Sequence, residues 1–269
     1  MEKIQIEKVK IDYRSNNYKY FRYNITKSSF VANTINVNKS FDNVFLDHAI
    51  KTKIIHNIEY FLNNKERYDK LGMQRKLGYL FYGKPGNGKT SMAIAMAKTY
   101  NKNIYKVDLS VTKDAFLNQI TNIPQGSIVL FEDVDTFAVT HDRAKEVEKD
   151  NKKEDNTQLS SKLLLSDILE VLDGYYYLSE CVVVMTTNHI EKLDPAFIRP
   201  GRVDHKIELC NVSKEQIIQI IKYFYGKNIH SSILNKIANV DISTSELINT
   251  IILSHLDDYD FVINYLCSK

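Results

Sequence analysis

From Gly78 onward the chain alternates short apolar runs with longer segments of helical periodicity. Five runs, 79–82, 104–107, 128–131, 182–185 and 205–209, read as strands. Each is taken as apolar on both faces, the pattern of a parallel sheet covered by helices on either side. Ahead of them, residues 47–62 place Ile50, Ile54, Ile58, Phe61 and Leu62 on one face of an amphipathic helix. The first 40 residues carry alternating patches (Ile4, Ile6, Val9 and Ile11, then Phe30 and Ala32), which predict short strands in a small β-rich arm. After Asn211 the period becomes helical again over 212–225, 229–238, 243–255 and 259–266. Ser213 with Gln216, and Ser243 with Glu246, have the three-residue spacing of a capping box. The expected organisation is an N-terminal arm (1–40), an α/β core with a five-stranded parallel sheet flanked by helices (41–210) and a small helical lid subdomain (211–269).

Residues 141–156, HDRAKEVEKDNKKEDN, break the rhythm with charges of both signs and little to bury. They read as a solvated or disordered loop. The formal net charge of +3 gives no basic stripe for nucleic acid. Cys181, Cys210 and Cys267 are far apart, with neither zinc-ligand spacing nor a disulfide framework, which suits a reducing compartment. The seven histidines are scattered singly. No run is apolar and long enough for a signal peptide or a membrane span, so a cytoplasmic location is expected.

The chemistry concentrates just after the first strand. Gly83, Gly88, Lys89 and Thr90 fit G-x-x-x-x-G-K-[ST], the phosphate-binding P-loop. Its cradle comprises Gly83, Lys84, Pro85, Gly86, Asn87, Gly88, Lys89, Thr90 and Ser91. Glycines let successive backbone N–H groups turn inward as a nest for anionic oxygens, and a helix beginning near Lys89 aims its positive end at the same place. Lys89 is expected on the β- and γ-phosphates of ATP, and the Thr90 hydroxyl on Mg²⁺.

Two acids, Glu132 and Asp133, end the apolar run at 128–131. Carboxylates at the end of a buried strand are costly unless a metal or hydrogen-bond donors meet them. Ligands of open α/β sheets gather at such strand ends. One acid is expected to hold the Mg²⁺ shell and the other to orient or deprotonate the attacking water. The residue order gives Glu132 the metal and Asp133 the water. Asn188, at the polar end of the stretch 182–188, offers a neutral amide for the water or the γ-phosphate. Arg199 and Arg202, separated by Pro200 and Gly201, present planar, permanent charges suited to phosphoryl oxygens. Tyr175, Tyr176 and Tyr177 read as packing rather than base stacking, since basic residues are absent around them.

In order and spacing, GKPGNGKT, LFEDVD, TTN and LDPAFIRPGRVD resemble the core of the AAA ATPases with its second region of homology. GYLFYGKPGNGKTS, SDILEVLDG and TTNHIEKLDPAFIRPGRVDHKI resemble one branch more closely, the Bcs-type chaperones that assemble respiratory complex III. The resemblance runs from about residue 40 to the end. It implies that Asn188 is a sensor residue and that Arg199 and Arg202 are arginine fingers for a neighbouring subunit. It further implies a homo-oligomeric ring, a hexamer or heptamer, that uses Mg²⁺ and ATP to remodel, assemble or move a protein client. A nucleic-acid motor or loader is the alternative within the same family, and the near-neutral charge counts against it. Mitochondrial members carry a transmembrane helix and a specific domain before the core. Only a short arm stands there in this sequence, so a mitochondrial address is not expected. The stretch SVTKDAF lacks the aromatic–Gly pore signature of translocases, and the 243–255 helix contains no arginine.

Overall fold

The computed structural model describes residues 18–33, 38–137, 162–174, 177–237 and 240–268. Its centre is a sheet of β1 (Tyr20–Asn24), β2 (Ser29–Asn33), β3 (Leu77–Tyr82), β4 (Ile104–Val107), β5 (Ile128–Phe131), β6 (Val182–Thr187) and β7 (His205–Glu208), in the order β2-β1-β4-β5-β6-β3-β7. The five expected strands are all present and parallel to one another. The sheet nevertheless has seven strands rather than five. β1 and β2 form an antiparallel hairpin, and β1 adds in parallel to the free edge of β4. An aromatic seam fastens the hairpin: Phe21 stacks on Tyr105 with ring centroids 4.5 Å apart, and Phe30 meets Tyr105 edge-on at 4.9 Å. Covering β4 removes an unpaired edge. Ile4, Ile6, Val9 and Ile11, the loop at 141–156, Tyr175 and Tyr176 lie outside the described residues, whereas Tyr177 packs on the core.

Strand alternation divides the core into two layers. On one face Tyr79, Phe81, Ile104, Leu130 and Val184 pack against α1 (His48–Asn63) and α3 (Lys89–Thr99). α1 buries Ile54, Ile58 and Phe61, at the helical spacing expected. α3 is dense in alanine and methionine, so its backbone can lie close to the sheet. On the other face Leu80, Val129, Phe131, Val183 and Met185 meet α4 (Lys113–Thr121) and α5 (Leu165–Asp173). Short α2 (Lys65–Lys70) buries nothing. Tyr79 and Phe81 are among the largest fully buried side chains, and truncating one to alanine costs about 3–5 kcal/mol.

A third apolar cluster gathers residues from Val212 to Leu266 together with Phe45. It is built from α6 (Lys214–Tyr225), α7 (Ser231–Lys236), a π-helical stretch (Glu246–Ile252) and α8 (Tyr259–Ser268). The capping box at α6 forms in full: Ser213 Oγ accepts from the Gln216 amide at 3.2 Å, and the Ser213 amide donates to Gln216 Oε1 at 3.1 Å. At Ser243 the hydroxyl accepts from the Glu246 amide at 3.1 Å, but the helix that follows is wound as π rather than α.

Candidate nucleotide site

The loop between β3 and α3 is shaped by close backbone approach. Gly83 has φ +130°, and a Cβ there would lie 2.4 Å from the Leu209 carbonyl oxygen just beyond β7. Gly88, at φ +89°, turns the chain into α3, whose first residue is Lys89. The loop is thus pressed against the end of the sheet while its amides lead into a helix N-terminus. Asn87 is buried there. Its Nδ2 donates to the Leu209 carbonyl and to Asn211 Oδ1, each at 3.0 Å, and its Oδ1 accepts from the Thr244 amide at 3.3 Å. The Gly86 carbonyl accepts from the Ser245 amide at 3.0 Å. Lys84 faces Asp241 at 3.5 Å. The P-loop apex is therefore bonded directly to the C-terminal helical region.

Lys89 folds its ammonium back over the loop, donating to the carbonyls of Gly83 at 2.6 Å and Lys84 at 3.0 Å. Burial lowers its pKa from the ordinary lysine value, against an opposing pull from the charges of Asp133 and Asp135. The Thr90 hydroxyl donates to Glu132 Oε1 at 2.6 Å. Burial would raise the Glu132 pKa, but the hydrogen bonds from Lys106 and Thr90 outweigh it and hold the carboxyl below its usual value.

Next to it, Asp133 takes a left-handed backbone conformation, φ +48°. Its amide donates to Thr186 Oγ1 at 3.1 Å, and its carbonyl accepts from the Thr136 hydroxyl at 2.7 Å. Such a conformation persists in a non-glycine residue when its surroundings over-determine it. The bonds turn the Asp133 carboxylate outward, where Asn188 Nδ2 donates to Oδ1 at 3.3 Å. β5 and β6 are neighbours, so their ends bring Glu132, Asp133 and Asn188 together.

Two residues of this site were missed by the sequence reading. Asp135 is buried, and its Oδ1 accepts from Thr187 Oγ1 at 2.6 Å and from the Asn188 amide at 3.3 Å. It fixes the end of β6 and thereby the origin of the Asn188 side chain. The signal was present as a third acid in LFEDVD. Lys106 pairs with Glu132 from within β4, and so contradicts the reading of that strand as apolar on both faces. A lysine inside a run that is otherwise buried must find an anion nearby.

The two arginines do not join the acids. Arg202 Nε donates to Asp173 Oδ1 at 2.7 Å, its Nη2 pairs with Asp173 Oδ2 and its Nη1 reaches the Ala196 carbonyl. Arg199 is exposed and makes no ion pair among the described residues.

The geometry suits Mg²⁺ and a nucleotide. Thr90 and Glu132 bring two hard oxygens to one point at a helix N-terminus. The described residues hold no cluster of three or more His, Cys, Asp or Glu side chains, and Mg²⁺ characteristically uses one or two protein oxygens with phosphates and water completing its octahedron. Residues 79–211 match the ATPase family associated with various cellular activities (AAA).

The chain carries an AAA ATPase domain.

It is similar to the probable mitochondrial chaperone bcs1 of Schizosaccharomyces pombe, 37% identical over 186 residues, which cover 68% of this chain and 39% of that protein. It is also similar to the mitochondrial chaperone BCS1 of Bos taurus, 37% identical over 187 residues, 68% of this chain and 43% of that one. An AAA-ATPase of Arabidopsis thaliana is 40% identical over 184 residues, 65% of this chain and 39% of the relative. The matched residues thus span about two fifths of the length of these relatives. Among the described residues no helix is long and apolar enough to cross a membrane. The expectation against a mitochondrial address finds no support, since two of these relatives are themselves named mitochondrial chaperones.

Proposed function

We propose that this AAA ATPase hydrolyses ATP with Mg²⁺ and works as a homo-oligomeric ring, a hexamer or heptamer, that remodels, assembles or moves a protein client. The observation that carries the reading is the meeting of Thr90, Glu132, Asp133 and Asn188 at the mouth of the P-loop. The amides of 83–91 and the Lys89 ammonium bind the β- and γ-phosphates. Thr90 and Glu132 are the residues that would hold Mg²⁺, which would supply positive charge to the phosphate oxygens. Asp133 accepts the proton of the attacking water, and Asn188 orients both the carboxylate and the water. Asp135 keeps Asn188 in place.

Arg199 is the better candidate for an arginine finger, because it is exposed and its charge is unspent. Arg202 would have to release Asp173 first. The chaperone role draws on the relatives named as chaperones, and the client is a protein rather than a nucleic acid because the chain has no basic stripe.

Phosphate release and fluorescent-nucleotide binding test the reading together. The wild-type chain hydrolyses ATP only with a divalent cation, and Lys89→Ala loses tight binding. Unchanged affinity in Lys89→Ala would remove the P-loop from the site. Sedimentation of the wild type with ATP reads the ring directly, and a monomer at working concentration would sink that part.

A further inference from the structure

β4 contains a single charged residue. Ile104, Tyr105 and Val107 are buried, while Lys106 is half-buried and directs its ammonium to Glu132 Oε2. The other oxygen, Oε1, accepts from Thr90. Both oxygens of the acid assigned to the metal are therefore engaged by this chain's own groups, one of them a cation. On the far side of Lys106 lies β1, where Arg22 stands opposite it in the parallel register. Arg22 is exposed, makes no ion pair among the described residues, and has its guanidinium 5.9 Å from the centroid of the Tyr20 ring. The hairpin is fastened through Phe21, Phe30 and Tyr105, which alternation places on the opposite face of the sheet. Lys106 thus stands between an acid and a second cation, and among the described residues its ion pair is with Glu132.

We propose that Lys106 is a resident counter-cation of the metal site, a positioning residue that holds Glu132 against Thr90 and sets how strongly nucleotide binding depends on the divalent cation. The inference rests on the reading of Glu132 as the metal acid. Lysine suits the task, being a compact charge on a flexible stem that can swing away from one carboxylate oxygen. Without a divalent cation the ammonium supplies part of the positive charge that phosphates need. With one, it opposes a like charge a few ångström away, which costs on the order of tenfold in affinity at an effective dielectric between protein and water. Arg22 acts in the same direction from farther off.

The coupling is the ratio of two dissociation constants, in excess EDTA and in excess Mg²⁺, for a fluorescent non-hydrolysable ATP analogue titrated into the full chain. Lys106→Met raises that ratio about tenfold. Lys106→Gln, which keeps a hydrogen bond to Glu132, raises it similarly, Lys106→Arg leaves it near wild type, and Arg22→Ala raises it less. A wild-type ratio in either neutral variant that binds the analogue overturns the proposal. So does loss of binding in both neutral variants while Lys106→Arg binds normally, since Lys106 would then be a nucleotide contact or a support of the fold. Glu132→Gln separates the two readings. If it leaves the ratio unchanged, the assignment of Glu132 to the metal fails. If it lowers the ratio and the neutral Lys106 variants do not move it, only the role of Lys106 fails.

Discussion

The acid side of the site and the arginine turn beside it are built on opposite terms. At the ends of β5 and β6 each polar group has a partner in the same chain: Glu132 with Thr90 and Lys106, Asp133 with Thr186 and Asn188, Asp135 with Thr187. In the turn before β7, Arg202 is spent on Asp173 and the Ala196 carbonyl, and Arg199 is exposed. One region is closed on itself and the other offers a charge outward. In the proposed ring a second copy would bring the two together, and the contrast can be broken at either end.

The largest effect is expected for Arg199. Arg199→Ala binds ATP but loses hydrolysis by about 10³–10⁵, the range known for arginine fingers in other phosphoryl-transfer sites. Mixing it with Lys89→Ala subunits restores phosphate release above either variant alone, since one contributes an intact P-loop and the other an intact arginine. If subunits exchange, as read by energy transfer between labelled chains, and no activity appears at any ratio, Arg199 acts within its own chain. Asp133→Asn comes next, with ATP affinity retained and turnover reduced by about 10²–10⁴. Normal turnover in Asp133→Asn together with a dead Glu132→Gln would reverse the roles of the two acids.

Asp135→Ala is subtler. It leaves the Thr187 hydroxyl without its acceptor and frees the Asn188 backbone, so kcat falls by about 10² while nucleotide affinity stays within a few-fold. A kcat that holds while thermal stability drops would limit Asp135 to the fold. The smallest effect belongs to Arg202→Ala, which loses a partly exposed ion pair worth up to about 1 kcal/mol. The hydrogen bond from Arg202 lowers the Asp173 pKa, so the contribution is full above the unfolded carboxyl value of about 3.9 and fades as pH falls through the depressed folded value. The gap in Tm between wild type and Arg202→Ala therefore narrows on acidification below about pH 4. A gap that widens instead would assign the loss to packing.

The parallel strands were legible because strands covered on both faces read as uninterrupted apolar runs, as in LGYLFY and VVVMTT. The hairpin was less so. YFRYN, one strand in from the edge that β2 forms, is only half-buried, and its Arg22 points to solvent, which weakens the period-2 signal. The P-loop and the acid pair were visible because their chemistry is local in sequence. Asp135, Lys106 and the tie between Arg202 and Asp173 depend on pairings 52, 26 and 29 residues apart, and no local pattern announces which acid a lysine or arginine will meet. The π-helical winding after Ser243 had no signal either, since its cap looks like that of any α-helix.

The bonds that the Thr244 amide donates to Asn87 Oδ1 and the Ser245 amide donates to the Gly86 carbonyl make two backbone protons into gauges of the loop. Phosphates seated in the loop would act on these amides through the same bonds. Their hydrogen exchange would therefore follow nucleotide occupancy from within the helical region, far along the chain from the residues proposed to bind ATP.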